Sequence, residues 1–171
     1  MAFDTFMYFD PATGVEGETT DSVYAAKKGI EIYSFSWGAS NPTTVSSGAT
    51  GLSAGKVSIS SFNVMKKTEA SSAGLFTACC NGQHFAKLVV DMRRASGPSG
   101  KQMVFLTYTF TDVMVESIQW SGSAGGDETP TESVSFAFGK VDVSYQQMDD
   151  KGEKKGGAKT ASWNLTTIAK D

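Results

Sequence analysis

The sequence predicts an all-β protein: a compact β-barrel, or two packed antiparallel sheets, with one short flanking α-helix. Segments of alternating apolar and polar residues recur along the whole chain, which is typical of half-buried β-strands. The 18 glycines, together with frequent Ser, Thr, Val and Phe, favour strands joined by many turns. With 171 residues and no linker long enough to divide the chain, we expect a single domain spanning residues 1–171.

The longest alternating segment follows an acidic, glycine-containing loop at residues 125–130. Val134, Phe136 and Phe138 share one parity, and beyond Gly139 the apolar residues move to the other parity. A strand that changes its buried face needs a bulge or a sharp bend, and glycine tolerates either. We therefore expect a strand bulge at Gly139, of the kind that lets a sheet curl into a barrel.

The second predicted strand, over residues 30–40, has uneven faces. Aromatic side chains lie on one face, and the small polar Ser34 and Ser36 lie on the other. A Ser/Thr/Gly-rich segment over residues 41–55 follows, and a structureless loop of that length in a compact domain usually has a function. The remaining strands are predicted at residues 3–9, 56–67, 85–94, 101–110, 112–120 and 159–168, with a polar connection over residues 10–29.

One segment is predicted to be helical. Ser71 or Ser72 can cap its first amides, and Asn81-Gly82 supplies a left-handed end. Apolar side chains on one face are expected to pack the helix against the sheet: Leu75, Phe76, Cys79 and Cys80.

Charge and the N-terminus exclude several classes of protein. The formal net charge of −3 gives no reason to expect nucleic acid or an anionic membrane as a partner. The first residues lack a basic region followed by an apolar run, so no secretory signal peptide is predicted. No apolar stretch approaches the roughly 20 residues of a membrane helix, so membrane insertion is not expected.

Few residues could carry catalysis or bind a metal. His84 is the only histidine, which excludes a site built on two or three histidines. Cys80 and His84 could form a nucleophile and base, but no third group that would orient them is indicated. Cys79 and Cys80 have no other thiol to pair with, so we expect two buried, reduced thiols on the helix.

The acidic residues Asp127, Glu128 and Glu132 suggest a paired carboxylate or a calcium loop. Their spacing does not match an EF-hand, so we expect a solvated turn before a strand. No glycine pattern has the strand–loop–helix context of a phosphate cradle. The sequence therefore predicts a structural or binding protein rather than an enzyme, with no catalytic residues, no metal and no cofactor.

Six short segments, in collinear order over nearly the whole chain, carry a family resemblance. The sequence IEIYSFSWG at residues 30–38 resembles the I-x-[IV]-x-S-[FW]-S-W-G strand of the haemolysin-coregulated protein (Hcp) family, the tube proteins of type VI secretion systems. Five others are similar to the family's G-E-S-x-D element, G-K-V strand start, helix with a G-x-H exit, G-G-x-x-x-T-E-x-V segment and terminal G-G…G-W region: residues 17–21, 55–58, 75–84, 125–134 and 156–163. Two positions depart from the pattern: Tyr24-Ala25-Ala26 occupies a region that often holds His, and Ser162 stands where Gly is usual.

The resemblance implies a β-barrel that assembles with itself into hexameric rings. These rings stack into a hollow tube that a contracting sheath expels from the cell. The implied partners are other copies of the chain, secreted effectors carried in the lumen, and spike, sheath and baseplate proteins. The implied location is the cytoplasm before assembly, followed by secretion to the extracellular space or a target cell without a signal peptide.

Two site hypotheses combine this resemblance with the strand pattern. Ser34 and Ser36 would suit the wall of a water-filled channel, so we expect Ser36 to face the lumen and to help hold cargo; alternatively, both serines only contact the helix or a neighbouring strand. The segment 41–55 is expected to project from the ring and to contact the next ring in the stack. Its candidate stacking residues are Asn41, Pro42, Thr43, Thr44, Val45, Ser46 and Leu52.

Two other interpretations fit the sequence. A tail-tube protein of another phage-like contractile device would share the architecture. A monomeric β-sandwich binding module or small hydrolase would form no rings, so size-exclusion chromatography or electron microscopy distinguishes it from a tube protein.

Overall fold

The computed structural model describes residues 3–45, 51–96, 101–125 and 129–170. Strands dominate these ranges, and the all-β class with one short helix is confirmed. In chain order the elements are β1 (Asp4–Phe9), β2 (Ile30–Glu31), β3 (Ser34–Ser36), β4 (Ala39–Ser40), β5 (Thr43–Val45), β6 (Leu52–Ala54), β7 (Ser58–Ile59), β8 (Phe62–Lys67), α1 (Ser71–Asn81), β9 (His84–Ser96), β10 (Lys101–Ser121), β11 (Thr131–Tyr145) and β12 (Lys159–Asn164).

Eight of these strands form one antiparallel sheet that curls until its two ends meet. The spatial order is β2-β1-β9-β10-β11-β8-β3, and β12 pairs with β11 beside this path. Only Ile32 and Tyr33 separate the two end strands in the chain. The Ile32 amide donates to the Thr5 carbonyl of β1 (3.1 Å), whereas the Tyr33 amide donates to the Met65 carbonyl of β8 (2.9 Å). The segment therefore closes the sheet into a barrel.

This closure divides the strand predicted over residues 30–40. Ile30 and Ile32 are buried against β1, but after Tyr33 the chain joins β8, and Phe35 and Trp37 pack against the core instead. The buried parity thus changes in the middle of the segment, because the chain passes from one edge of the sheet to the other. The single predicted strand is wrong, and three short strands replace it: β2, β3 and β4.

A crease crosses the sheet at Ala86, Asp112 and Gly139, which lie side by side on β9, β10 and β11. On β10 the buried residues change from Phe110 to Val113, and on β11 they change from Phe136 to Val141. Each strand exchanges its inner and outer faces at this line. Asp112 has a left-handed φ of 54°, and a Cβ on Gly139 would lie 3.4 Å from the Asp112 Cβ, so glycine leaves room for the aspartate.

The parity change expected at Gly139 is therefore observed, but the bulge expected there is not. Pairing between β10 and β11 keeps one register on both sides of Gly139, because the two strands invert their faces together and neither gains a residue. The shift in that register lies between Val115 and Ser117 on the facing strand. Residues 101–121 also form one continuous strand, where the sequence predicted two.

The helix α1 has the predicted C-terminal end but a different start. Gly82 adopts a left-handed φ of 67° after Asn81, as expected. At the start, Ser71 and Ser72 are buried and lie inside the helix; the Glu69 carboxylate accepts the Ser71 amide (3.1 Å). The packing face also differs from the prediction, because Phe76 and Cys80 are exposed, and Leu75 and Ala78 are the buried apolar residues.

Two other predicted strands are shorter than expected. The segment 56–67 is divided into β7 and β8, and the last strand ends at Asn164 rather than near Ile168. The segment 41–55 is not structureless, because β5 and β6 pair as an antiparallel hairpin, with Thr43 opposite Ala54 and Val45 opposite Leu52. We call the residues 43–45 and 52–54 the arm.

Candidate functional site

An uncharged polar surface covers the outer side of four adjacent strands. Cross-strand partners in an antiparallel sheet point to the same face. Ser36, Asn63, Ser135 and Ser117 are successive partners across β3, β8, β11 and β10. A second row crosses the same strands through Ser34, Met65, Ser133 and Gln119. We call these eight residues the polar wall.

The polar wall faces solvent in the single chain. Ser34 and Ser36 are exposed, so neither is packed inside the barrel. The Ser135 hydroxyl donates to Asn63 Oδ1, and Asn63 Nδ2 donates to the Ser61 carbonyl (3.0 Å), which fixes the amide. Serine, asparagine and glutamine side chains hydrogen-bond water well, so this surface suits contact with water or with a polar partner.

A buried ion pair lies on the inner side of the same strands. Lys66 on β8 and Glu132 on β11 are direct cross-strand partners, their side chains have no exposed surface, and Lys66 Nζ contacts Glu132 Oε1. Lys66 also donates to the Lys67 carbonyl (3.0 Å) and contacts Glu69 Oε1 (3.2 Å). The cation is thus surrounded by acceptors, as a buried charge requires.

This arrangement corrects the interpretation of Glu132 as part of a solvated turn. Its carboxylate accepts hydrogen bonds from the hydroxyls of Ser72 (2.9 Å) and Thr68 (3.4 Å), so the pair also anchors the start of α1 to the barrel. Asp127 and Glu128 lie outside the described residues. Alternation along β11 places Glu132 on the same face as Val134, but the sequence did not identify Lys66 as its partner.

The segment between β1 and β2 is more than a polar connection. Tyr24 is 1% exposed, stacks on Phe6 with ring centroids 4.3 Å apart, and donates its hydroxyl to Asp91 Oδ2 (3.0 Å). Arg93 forms two hydrogen bonds to the Asp21 carboxylate, one of them 3.1 Å long. These contacts fasten the segment, which we call the strap (residues 10–29), to β9.

The electrostatics of the strap follow from these contacts. Hydrogen bonding from Arg93 holds the pKa of Asp21 below its usual value, because the guanidinium stabilises the ionised carboxylate. Burial raises the pKa of Tyr24, and the nearby Asp91 carboxylate adds to the shift, because both disfavour a phenolate. The strap is therefore held by a charged Asp21 and a neutral Tyr24.

The arm projects from the barrel. All six of its residues are exposed, and β5 and β6 form a sheet of their own. Of the stacking candidates, Asn41, Pro42, Thr43, Thr44, Val45 and Leu52 are therefore brought together on or beside one exposed hairpin, whereas Ser46 lies outside the described residues.

An apolar groove of about 260 Å³ lies at the root of the arm. Trp37 forms part of its lining and contacts Tyr108 and Phe110 edge-on, with centroids 5.2 and 5.7 Å away. The groove therefore has a rigid aromatic wall attached to the core. Its other apolar lining residues come from β4, β7, β11, β12 and the chain beside them: Ala39, Val57, Ile59, Val141, Val143, Ala161 and Trp163.

In the described part of the chain, Cys80 forms no hydrogen bond with His84, so the two are not paired as nucleophile and base. His84 is exposed at the start of β9, as expected, and its Nδ1 lies 2.9 Å from Asp112 Oδ1. Cys79 is half-buried and its thiol faces the Glu116 carbonyl (3.8 Å), whereas Cys80 is exposed, so the expectation of two buried thiols is wrong for Cys80.

Across the described ranges, His, Cys, Asp and Glu form no group of three that could hold a metal ion. In the same ranges, no helix has the length and apolarity needed to cross a membrane.

Comparison with known proteins gives one consistent result. Residues 6–145 match the family model T6SS_HCP, described as type VI secretion system effector, Hcp. "Protein hcp1" of Pseudomonas aeruginosa is 33% identical over 110 residues, which is 64% of this chain and 66%, or just under two thirds, of that relative. The solved structure of a type six secretion system protein has a TM-score of 0.88 at 36% identity and covers 99% of this chain and 100% of that one. Hcp1 from Salmonella typhimurium has a TM-score of 0.78 at 28% identity, with both chains fully covered.

These matches agree with the curled sheet, the single flanking helix and the six segments that resemble the family. The family match covers far more than half of the chain, from β1 to the end of β11. The chain therefore belongs to the Hcp family of secreted type VI secretion system proteins.

Proposed function

We propose that this chain is the subunit of a type VI inner tube. Copies form homohexameric rings that stack into a hollow tube, and sheath contraction expels that tube from the cytoplasm without a signal peptide. The subunit works with effectors, spike, sheath and baseplate proteins as a container, and it catalyses no reaction.

The observation that carries this proposal is the polar wall. Protein interfaces are enriched in aromatic residues, Met and Arg, and of these the polar wall holds only Met65. Its eight side chains are uncharged and form a continuous surface across four strands, which fits the lining of a water-filled channel. The apolar groove lies elsewhere, on residues of β4, β7, β11 and β12 and the chain beside them, where it is available for contacts between subunits.

Negative-stain electron microscopy of the purified protein tests the assembly. We expect six-fold rings at high protein concentration, and stacked rings under crowding conditions. A particle that remains monomeric by size-exclusion chromatography and microscopy at every concentration would contradict the proposal.

Ser36 tests the lumen assignment. The variant Ser36→Trp should keep ring formation, because Ser36 is exposed, and should lower the amount of effector that copurifies with the ring. Ser123→Trp is the matched control, since Ser123 is an exposed serine in the connection after β10. Loss of rings in Ser36→Trp, with Ser123→Trp unaffected, would place Ser36 at a subunit contact instead of in the lumen.

The arm tests the stacking assignment. Deleting residues 43–53 removes β5 and two of the three residues of β6 without touching the barrel, so the thermal unfolding midpoint should stay close to that of the wild type. We expect rings that no longer stack. Normal tubes from the deletion variant would show that stacking does not depend on the arm.

A further inference from the structure

The apolar groove continues into a second hollow of about 160 Å³. The two hollows share Val57, Ile59 and Trp163, so they form one open depression, which we call the trough. Residues of β4 and β7 line one side of the trough. Its floor consists of two cross-strand pairs of β11 and β12, whose side chains point to the same face: Val141 with Trp163, and Val143 with Ala161.

The trough has the length of a medium acyl chain. Along β12 and the chain just after it, the lining runs from Ala161 to Leu165, which is about 13 Å at the rise of a strand. An extended saturated chain of about ten carbons has the same length, because bonds of about 1.5 Å advance roughly 1.3 Å per carbon along the zigzag. Ligand pockets are concave and mostly apolar, with a few polar groups that orient the ligand. The trough therefore fits one hydrocarbon chain.

One end of the trough carries a positive charge. Lys56 lines the second hollow, and the other residues around that hollow are apolar. Among the residues that the structure describes, the lining of the trough includes no Asp or Glu, and Lys56 forms no ion pair. Its ammonium is thus available to an anionic head group, and a carboxylate would form a charge-assisted hydrogen bond with it. This charge favours an anionic amphiphile over a neutral or cationic one.

We propose that the trough binds one molecule of a medium-chain fatty acid, with the carboxylate at Lys56 and the hydrocarbon tail against Trp163 and Trp37. The ligand is a free monomer rather than a membrane, because the apolar lining is recessed and the formal net charge of −3 gives no attraction to an anionic lipid surface. Binding requires only the folded barrel, so it does not depend on the tube function.

Fluorescence quenching by a brominated fatty acid tests occupancy of the trough. The chain has three tryptophans, and Trp120 lies beside Phe76 of α1 rather than in the trough. In Trp120→Phe only Trp37 and Trp163 remain, and bromine quenches tryptophan only on close approach. We therefore expect saturable quenching by ω-bromodecanoic acid, added below its micellar concentration, and recovery when decanoic acid competes for the site. Quenching that does not saturate, or that decanoic acid does not reverse, would overturn the proposal.

Substitution of Lys56 tests the position of the head group. Lys56→Gln should weaken decanoate binding about two- to fivefold in isothermal titration calorimetry, which is the effect of losing one exposed ion pair. Lys170→Gln is the matched control and should leave the affinity unchanged, because Lys170 is an exposed lysine that lines a neighbouring polar hollow instead. Decanol has the same chain without the charge, so it should bind the wild type and Lys56→Gln equally. Equal effects of the two lysine substitutions on decanoate, or weaker decanol binding in Lys56→Gln, would contradict the proposal.

Chain length and filling of the trough test the tail. Octanoate lacks two methylenes and should bind about fourfold more weakly than decanoate, since each methylene in an open trough is about half-buried.

Ala161 is exposed at the rim, so Ala161→Trp should fill the trough without entering the core, whereas Ala161→Ser leaves it open. The tryptophan variant should bind decanoate at least about tenfold more weakly, because it displaces the chain from the floor; equal thermal unfolding midpoints of the two variants are the control for folding. Unchanged affinity in Ala161→Trp would refute the proposal. Equally strong quenching of Trp120→Phe by vesicles of brominated phosphatidylglycerol would refute it too, since the partner would then be a membrane surface.

Discussion

The buried pair of Lys66 and Glu132 should make the barrel unusually sensitive to loss of one charge. The perturbation is Lys66→Met, which keeps the length of the side chain and removes its ammonium. Glu132 then remains fully buried, with hydrogen bonds only from hydroxyl groups to compensate its charge. Removing one partner of such a pair costs about 3–5 kcal/mol of unfolding free energy.

The reverse perturbation should cost less, because the structure is asymmetric. In Glu132→Leu the ammonium of Lys66 keeps Glu69 at 3.2 Å and two oxygen acceptors, so we expect about 2–3 kcal/mol. Combining the two changes removes both charges at once. Replacing a buried pair by apolar residues is often neutral, so the double variant should be more stable than Lys66→Met alone.

Urea unfolding monitored by tryptophan fluorescence measures all three differences. Lys67→Met is the matched control, since Lys67 is the exposed neighbour, and it should change the unfolding free energy by less than about 0.5 kcal/mol. A cost below about 1 kcal/mol for Lys66→Met would refute the reasoning, as would a double variant whose cost equals the sum of the singles.

Three further predictions concern the strap and the helix. Tyr24 has a raised pKa, so its contribution to stability is present below the unfolded value of 10.0 and is lost as pH rises through the folded value. The melting temperature of the wild type should therefore fall above about pH 10, and the melting temperature of Tyr24→Phe should fall less. Equal decreases in the two proteins would contradict the assignment to Tyr24. Asp21 has a lowered pKa, so its contribution to stability is present above pH 3.8 and is lost as pH falls through the folded value. In Asp21→Asn the melting temperature should therefore fall less steeply with decreasing pH than in the wild type. The same pH dependence in both proteins would show that the contact between Asp21 and Arg93 does not contribute to acid unfolding. Gly82→Ala should lower the free energy of unfolding in urea by about 1–2 kcal/mol, because the left-handed φ of 67° strains a residue with a Cβ. A steric clash does not add to this cost, since the new Cβ would meet only the Met114 side chain at 3.7 Å. An unchanged free energy of unfolding would mean that the end of the helix rearranges freely.

The sequence predicted the elements whose ends depend only on residues close to one another in the chain. The end of α1 at Gly82 needs only a left-handed residue after the last turn, and the sequence supplies glycine there. The parity change at Gly139 was likewise visible in the sequence, as was the resemblance of residues 30–38 to an Hcp strand, and the family match confirmed that resemblance.

Features that depend on pairing between distant strands could not be predicted in the same way. The polar wall needs the register that places Ser36 beside Asn63 and Ser135, and alternation within one strand does not identify its neighbours. Burial of Glu132 depends on Lys66, 66 residues earlier in the chain, so the carboxylate was assigned to solvent. The predicted strand over residues 30–40 was wrong for a related reason: closure of the barrel transfers the chain from β1 to β8, and no local pattern shows that transfer.

The crease through Ala86, Asp112 and Gly139 limits how this sequence can change over time. Three neighbouring strands exchange their inner and outer faces at the crease, so their cross-strand pairing is kept only while the three exchanges lie side by side. Deleting one residue on a single strand would leave one half of that strand presenting core side chains to solvent. Insertions and deletions near the crease are therefore tolerated only as matched sets, whereas the arm, which has no such neighbours, is free to vary in length.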